Sequence, residues 1–194
     1  MFLSNSSIQV NPRCYKCEVT SYYLSGRLGC HAAGRNAFDD SDLSEIIYKN
    51  AKGFLDHVIE LAASTATVTE AAAALQVEPG MIAKTMSFLQ GNKPVLILTE
   101  GTAKVDNRKY KDTFHIKAKM IPFEEVEDII GHAPGGVCPF GINEGIEVYL
   151  DESLKKFNTV YPAAGNDHSA VKLTIPELEL VAEANGWVDV CKEL

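Results

Sequence analysis

The segment 131–141, GHAPGGVCPFG, combines four glycines, two prolines, one histidine and one cysteine. Helix and strand interiors disfavour this composition, because glycine loses backbone entropy there and proline lacks an amide donor. Gly135 and Gly136 leave backbone amides uncovered by side chains, and such amides can bind a carbonyl oxygen or an oxyanion. The segment matches neither the GxxxxGK[ST] nor the GxGxxG phosphate-binding pattern. It therefore predicts either a stiff loop that presents amide donors or a sharp turn without a ligand.

Cys138 in this segment has two interpretations. It could be a nucleophile with His132 or His168 as its base, or it could fill a small apolar wall between Val137 and Pro139. The remaining cysteines do not resemble a disulfide framework, and Cys14, Cys17 and the adjacent Cys30-His31 lack the second spaced pair of a structural zinc site. We predict no metal and no cofactor.

Two further features carry positive charge. Lys84 lies in the apolar stretch MIAKTMSF, where it either extends to water or points an ammonium into a pocket that binds phosphate or carboxylate. The segment 104–119 holds six basic residues against two acidic ones, in a chain whose net charge is −8. Such a basic strip is either a solvated face or a local contact for a phosphate backbone. Its members at 104–111 are Lys104, Arg108, Lys109 and Lys111.

These side chains must be positioned by a globular domain, since the 194 residues are 46% hydrophobic and 23% charged. No run has the length of a membrane span and the N-terminus is a poor signal peptide, so we expect a cytoplasmic protein without a membrane partner. Residues 1–45 show no sustained periodicity and are interpreted as an N-terminal extension, flexible in this interpretation. Residues 46–194 are interpreted as the folded domain.

The pattern of elements in that domain favours the α+β class. Thr67 and Glu70 form a capping-box pattern before an alanine-rich helix, and Gly91-Asn92 separates two strands of a hairpin. The final helix is expected to begin near Pro176 and to end just before Gly186. Strand pairs close in sequence without a regular βαβ alternation predict a mixed, mostly antiparallel, curled and barrel-like sheet with surrounding helices.

Several spaced motifs together resemble the YbaK/EbsC family over residues 50–190: STATVTEAAAALQVEPGMIAKTMSF, VLILTEGTAKVDNRKY, GGVCPFG, YLDESL and NDHSAVKLTIPEL. This family is the aminoacyl-tRNA editing domain related to the insertion domain of bacterial prolyl-tRNA synthetase. The resemblance implies a metal-free, trans-acting deacylase that hydrolyses the ester of mischarged tRNA, most commonly tRNA for proline carrying cysteine or alanine. It implies aminoacyl-tRNA as partner and prolyl-tRNA synthetase as a further candidate.

The resemblance also assigns residues. Lys84 would hold the terminal adenosine, its phosphate or the ester carbonyl, and the family's GxxxP loop falls on Gly135–Pro139, with the amides of Gly135 and Gly136 as donors. Asp151 would be a further catalytic residue. The amino-acid pocket would involve Ser64, Thr65, Thr67, Val137, Cys138, Pro139 and His168, although for His168 the interpretation as a surface histidine is favoured. The basic strip would follow the acceptor stem.

Two other functions remain open at this point. The chain could be an inactive module that binds tRNA or a synthetase. It could also be a thiol-dependent hydrolase of small esters that uses Cys138.

Overall fold

A computed structural model describes residues 54–192 of the chain. The predicted extension 1–45 and the group Cys14, Cys17, Cys30 and His31 lie outside the described residues, so the boundary between extension and domain stays a prediction. Within residues 54–192, no helix has both the length and the apolar character needed to cross a lipid bilayer.

Four α-helices and eight strands make up the described region. The helices are α1 (Val68–Leu75), α2 (Asn107–Phe114), α3 (Val126–Ile130) and α4 (Ile175–Val181). The strands are β1 (Val58–Glu60), β2 (Ile82–Gln90), β3 (Lys93–Glu100), β4 (Glu147–Asp151), β5 (Thr159–Pro162), β6 (Ser169–Val171), β7 (Leu173–Thr174) and β8 (Gly186–Val188). Short 3-10 turns cover Leu55–His57, Pro79–Met81, Phe123–Glu125 and Glu152–Lys156.

The main sheet has the strand order β7-β5-β2-β3-β4-β8, and β1 pairs with β6 in a separate two-stranded sheet. The predicted α+β fold with a curled, mixed sheet is confirmed. Parallel pairs are nevertheless as frequent as antiparallel ones in the described region, because β2–β5, β3–β4 and β4–β8 are parallel. The expectation of a mostly antiparallel sheet needs that correction. Parallel neighbours require long crossovers, and α2 and α3 lie in the connection from β3 to β4.

Local signals placed two elements correctly. Thr67 accepts a hydrogen bond from the Glu70 amide while the Glu70 carboxylate accepts one from the Thr67 amide, so the predicted capping box starts α1. The predicted hairpin is β2–β3, in which Gln90 pairs with Lys93 across a turn whose Gly91 has φ +64°. That left-handed conformation favours glycine.

The end of the chain differs from the expectation. Pro176 lies in the first turn of α4, as predicted, but the helix ends at Val181 and Gly186 begins β8 instead of terminating the helix. β8 pairs with β4, and its Val188 packs with Val95 and Ile97. Burial of the Val188 side chain accounts for the formation of β8 at this position. A three-residue strand has little sequence signal of its own.

The core lies on both faces of β3. Leu96 and Leu98 point to one face, where they join a cluster that includes Leu150 and Leu178. Val95 and Ile97 point to the other face, toward α2. Because strand side chains alternate between faces, β3 is fully buried at its centre and gives the neighbouring β2 a rigid support.

Candidate active site

A cleft of about 520 Å³ lies beside β2. Its walls come from five parts of the chain: the start of α1, the middle of β2, the segment 120–126, the glycine-rich loop, and the segment that carries β5 and β6. Its lining includes Thr65, Thr67, Ala71, Lys84, Thr85, Ser87, Met120, Phe123, Gly135, Val137, Tyr161 and Ser169. The volume lies within the range of about 300–1,000 Å³ that is typical of small-molecule sites.

A gap in the pairing of β2 opens the cleft. β5 pairs only with Ile82 and Ala83. Farther along, the Leu89 amide donates to the Lys119 carbonyl and the Ile121 amide donates to the Ser87 carbonyl. The stretch Lys84–Met86 between these contacts lines the cleft, so an edge of the sheet lies along the floor of the site.

Lys84 reaches from this stretch toward the turn after β3. Its Nζ donates to the carbonyl oxygens of Gly101 at 3.1 Å and Ala103 at 2.7 Å. Burial lowers the pKa of the ammonium below its ordinary value, while the nearby Cys191 and Glu100 oppose that effect. Because an ammonium has three donors, two fixed carbonyls orient Lys84 and leave one donor for a ligand.

A late part of the chain secures the turn that holds Lys84. The Asp106 amide donates to the Val190 carbonyl at 2.8 Å, and the Lys192 amide donates to the Lys104 carbonyl at 2.9 Å. Val105 and Cys191 form a bridge between these two bonds. The carbonyl of Ala103 is thus fixed next to a segment that is itself paired.

The glycine-rich loop contributes backbone to the cleft. Gly135, at φ +96°, and Val137 line it, together with Pro134. The Gly136 amide donates to the Ala133 carbonyl at 3.0 Å, so this predicted donor is occupied within the loop itself. In the described region the amides of Gly135 and Val137 have no hydrogen-bond partner, which leaves them as the candidates for binding an oxygen of a ligand.

Close packing holds that loop against the segment 165–168. A Cβ on Gly136 would lie 2.7 Å from the Asn166 Cα and 2.8 Å from the Gly165 carbonyl oxygen, so only glycine fits at this position. The same segment also holds the residues before α1, because the Thr65 amide donates to the Asp167 carbonyl at 2.6 Å. The segment 165–168 therefore contacts both the glycine-rich loop and the residues before α1 through its backbone.

Only some of the predicted pocket residues at 64–67 line the cleft. Thr65 and Thr67 line the cleft, whereas Ser64 does not. Thr67 caps α1, and Ser64 lies 3.4 Å from the Glu70 carboxylate through its Oγ. The Thr65 hydroxyl is buried without a hydrogen-bond partner among the described residues, which marks it as a polar group available to a ligand.

Cys138, Pro139 and His168 do not line the cleft. Cys138 is fully buried, and burial raises the pKa of its thiol to about 12. Its Sγ lies 3.8 Å from the Nδ1 of the buried His132, whose own pKa is lowered by burial. The Nδ1 of His168 lies 2.7 Å from a carboxylate oxygen of Asp167. The thiol is thus a member of the core and not a reactive group facing the cleft.

Asp151 is also buried outside the cleft. Its carboxylate accepts hydrogen bonds from the Ser153 amide at 3.0 Å and the Val190 amide at 2.8 Å. The bond from the Val190 amide joins the end of β4 to the segment beyond β8. Asp151 therefore helps to fix the segment 190–192, and its catalytic role stays a prediction.

Comparison with known proteins supplies the family. The family model described as "Aminoacyl-tRNA editing domain" matches residues 62–180. The protein YwhH of Bacillus subtilis (strain 168) is 47% identical over 137 residues, which cover 70% of this chain and 87% of YwhH. The chain belongs to the aminoacyl-tRNA editing domain family. Its enzyme class is accordingly that of a hydrolase acting on aminoacyl-tRNA, a deacylase.

Two further relatives agree with this assignment. The proline–tRNA ligase of Bacillus subtilis (strain 168) is 35% identical over 104 residues, which cover 53% of this chain and 18% of the ligase. A crystal structure of a protein proposed as a trans-editing enzyme for prolyl tRNA synthetase superposes with a TM-score of 0.71 at 31% identity, and covers 79% of this chain and 96% of that one. The editing domain thus corresponds to a small part of a long ligase and to nearly all of a separate protein.

The basic strip of the editing domain is only partly available for binding. Lys109 forms an ion pair with Asp189 at 2.8 Å, and Arg108 lies 3.9 Å from Asp112 on the same helix. Lys104 and Lys111 are exposed. Two basic residues of the strip thus lie close to acidic side chains, which composition alone did not reveal.

Sequence reasoning missed several lining residues of the editing domain. Thr85 follows Lys84 directly, and its hydroxyl is buried without a partner among the described residues. Met120 and Phe123 are large apolar residues that stay exposed at the cleft. An unusual run of apolar residues next to a proline, MIPF, was the available signal.

Within residues 54–192, no group of three or more His, Cys, Asp or Glu side chains could hold a metal ion.

Proposed function

We propose that this chain is a trans-acting deacylase that removes a non-cognate amino acid, such as cysteine or alanine, from tRNA for proline in the cytoplasm. The observation that carries the proposal is the meeting of Lys84 and the backbone of Gly135 and Val137 on one cleft. The separate existence of a proposed trans-editing relative of similar extent supports action in trans. Prolyl-tRNA synthetase is the candidate partner that would supply the mischarged tRNA.

The chemistry requires positioned water and stabilisation of a developing oxyanion. Water adds to the ester carbonyl, and collapse of the tetrahedral intermediate releases the free amino acid and the 3′-terminal hydroxyl of the tRNA. In the proposal, the amides of Gly135 and Val137 bind the oxyanion, with Gly136 shaping the loop. One such donor contributes about 10²–10³ in rate.

Lys84 supplies the positive charge of the proposed site. Its remaining donor would bind the ester carbonyl or the phosphate of the terminal nucleotide. The ammonium is partly withdrawn from water, and charge interactions are stronger in such surroundings than in bulk water. Because an aminoacyl ester is an activated bond, correct orientation is expected to carry much of the rate.

The small amino acid would occupy the inner part of the cleft, between Thr65, Ala71 and Val126. The buried hydroxyls of Thr65 and Thr85 would face its polar groups. An apolar pocket distinguishes side chains that differ by one methylene by only about 10–200-fold. The accepted amino acid must therefore be identified by measurement.

The test is a panel of substrates. The purified full chain, without any synthetase, is mixed with tRNA for proline charged with labelled alanine, cysteine, serine or proline, and the remaining ester is measured over time. We expect hydrolysis of at least one non-cognate ester above the buffer rate, with prolyl-tRNA spared. Loss of none of the esters would contradict the proposal and favour an inactive tRNA-binding or synthetase-binding module.

A further inference from the structure

The cleft has an apolar lip that its small amino-acid substrate does not require. Phe123 is 75% exposed and Met120 is 60% exposed, and both side chains line the cleft. Single exposed apolar residues are ordinary on protein surfaces. Two large ones, three residues apart in the chain and both lining one cleft, are a candidate contact surface.

This lip is held in a fixed position. Hydrogen bonds from the Leu89 and Ile121 amides attach residues 119–121 to the end of β2. Ile121 between the two lip residues is buried in the core. Phe123 then starts the 3-10 turn Phe123–Glu125, in which the Glu125 amide donates to the Pro122 carbonyl at 2.9 Å. The phenyl ring is therefore presented to solvent by a segment that is anchored on both sides.

We propose that Phe123, with Met120 beside it, is the stacking surface for the terminal adenine base of the aminoacyl-tRNA. This inference rests on the proposed function, since every tRNA ends in an adenosine that carries the amino acid. It adds a substrate-binding residue outside the lysine and the glycine-rich loop. With the amino acid in the inner cleft and the ester near Lys84, the nucleoside lies toward the entrance.

The size of the cleft agrees with that occupant, and the exposed charges on the two sides of the lip are of opposite sign. A cleft of about 520 Å³ is much larger than an alanine or cysteine side chain requires, so it has room for part of a nucleoside. Lys117 and Lys119 are exposed just before the lip and could approach the phosphates, whereas Glu124 and Glu125 follow it and would repel them. Exposed aromatic rings next to basic residues are the usual surface for unpaired bases, because every base has a stacking face.

The test compares variants at one position. Phe123→Ala and Phe123→Leu remove the ring, Phe123→Tyr and Phe123→Trp keep one, and Leu180→Ala is the matched control. Leu180 is 70% exposed on α4 and does not line the cleft. Base stacking contributes about 1–3 kcal/mol per base, so we expect the Ala and Leu variants to raise KM about tenfold with little change in kcat. The Tyr, Trp and control variants should stay near wild type.

A second measurement uses adenosine 5′-monophosphate as the probe. It should inhibit wild-type deacylation competitively and inhibit Phe123→Ala much less. With alanine ethyl ester, which has no base, any hydrolysis by wild type and by Phe123→Ala should be equal. Ligand-observed NMR with the same nucleotide tests the contact without relying on turnover.

The outcomes separate the two proposals. Deacylation by wild type with unchanged KM and nucleotide inhibition in Phe123→Ala would overturn the stacking surface and leave the proposed function intact. An equal loss with the ethyl ester would assign Phe123 to the amino-acid pocket instead. A loss that appears only when a synthetase is added would make the lip a protein contact. If wild type hydrolyses no ester, the proposed function fails, and absence of ring-dependent nucleotide binding by NMR then overturns the stacking surface as well.

Discussion

At the scale of single residues, the proposed site depends on one lysine whose surroundings the sequence only suggested. An ammonium among Ile82, Met86 and Phe88 was recognisable as unusual, and it lines the cleft. What could not be foreseen is its orientation by the carbonyls of Gly101 and Ala103, because those contacts depend on how the turn after β3 folds back. For the same reason the two backbone amides that bind the carboxylate of Asp151, a candidate from the resemblance, could not be foreseen.

Replacement of Lys84 should separate its charge from the rest of the site. We expect Lys84→Ala to lower kcat/KM for the accepted ester by about tenfold or more, because a charge in a partly buried site is lost. Lys93→Ala, at the exposed start of β3 outside the cleft, is the control. Circular dichroism should show both variants folded, and an unchanged rate in Lys84→Ala would remove the lysine from the mechanism.

The pH dependence follows from the lowered pKa of Lys84. The protonated form is the one expected to bind substrate, so the enzymatic rate should fall as pH rises through that pKa, earlier than for an ordinary lysine with pKa 10.5. Rates are corrected for spontaneous ester hydrolysis, which increases with pH. An alkaline limb that persists unchanged in Lys84→Ala would belong to another group.

Replacement of Cys138, in contrast to replacement of Lys84, should leave the activity nearly unchanged. Its thiol is buried with a pKa of about 12, so almost none is thiolate at neutral pH. Cys138→Ala should keep kcat/KM within about threefold, since the side chain does not touch the cleft. Loss of all activity in a variant that still melts cooperatively would restore the thiol-dependent hydrolase.

At the scale of elements, short-range sequence patterns were sufficient to predict the elements that depend on residues close together in the chain. The capping box of α1 and the Gly91 turn are examples, because each joins residues that are three apart in the chain. β8 and the parallel pairs were not accessible in this way. Their partners lie far apart in the chain, so their stability comes from packing that a single sequence does not display.

Two capping boxes of the same kind allow a controlled test of α1. Thr67→Ala and Thr174→Ala should each cost about 1 kcal/mol in the free energy of unfolding, because each removes a side-chain acceptor at a helix start. Thr67 also lines the cleft, whereas Thr174 does not. Only Thr67→Ala should therefore lower kcat/KM, by about tenfold or more if the wall moves by 1 Å.

Urea denaturation and steady-state kinetics on the same preparations check this prediction. Equal activity in the two variants, at equal loss of stability, would show that the start of α1 does not position substrate. A stability loss confined to one variant would mean that the two caps are not equivalent in the folded protein.

At the scale of the whole molecule, the cleft lining described above comes from residues 54–192, and the family match lies within them. The residues before them could be described from sequence only by composition. A chain starting at residue 46 should therefore keep kcat/KM within about twofold of the full chain. A large rise in KM on truncation would instead assign residues 1–45 to tRNA binding, and a large fall in kcat would assign them to the site.

The pairing of residues 104–106 with 190–192 also has a consequence for protein synthesis. The two carbonyls that orient Lys84 lie at the start of a segment whose partner emerges from the ribosome much later, and domains form progressively as the chain appears. A nascent chain that has completed β2, β3 and the glycine-rich loop would still lack the segment that fixes residues 104–106. Deacylase activity should consequently arise only after residues 190–192 have left the ribosome and paired with residues 104–106.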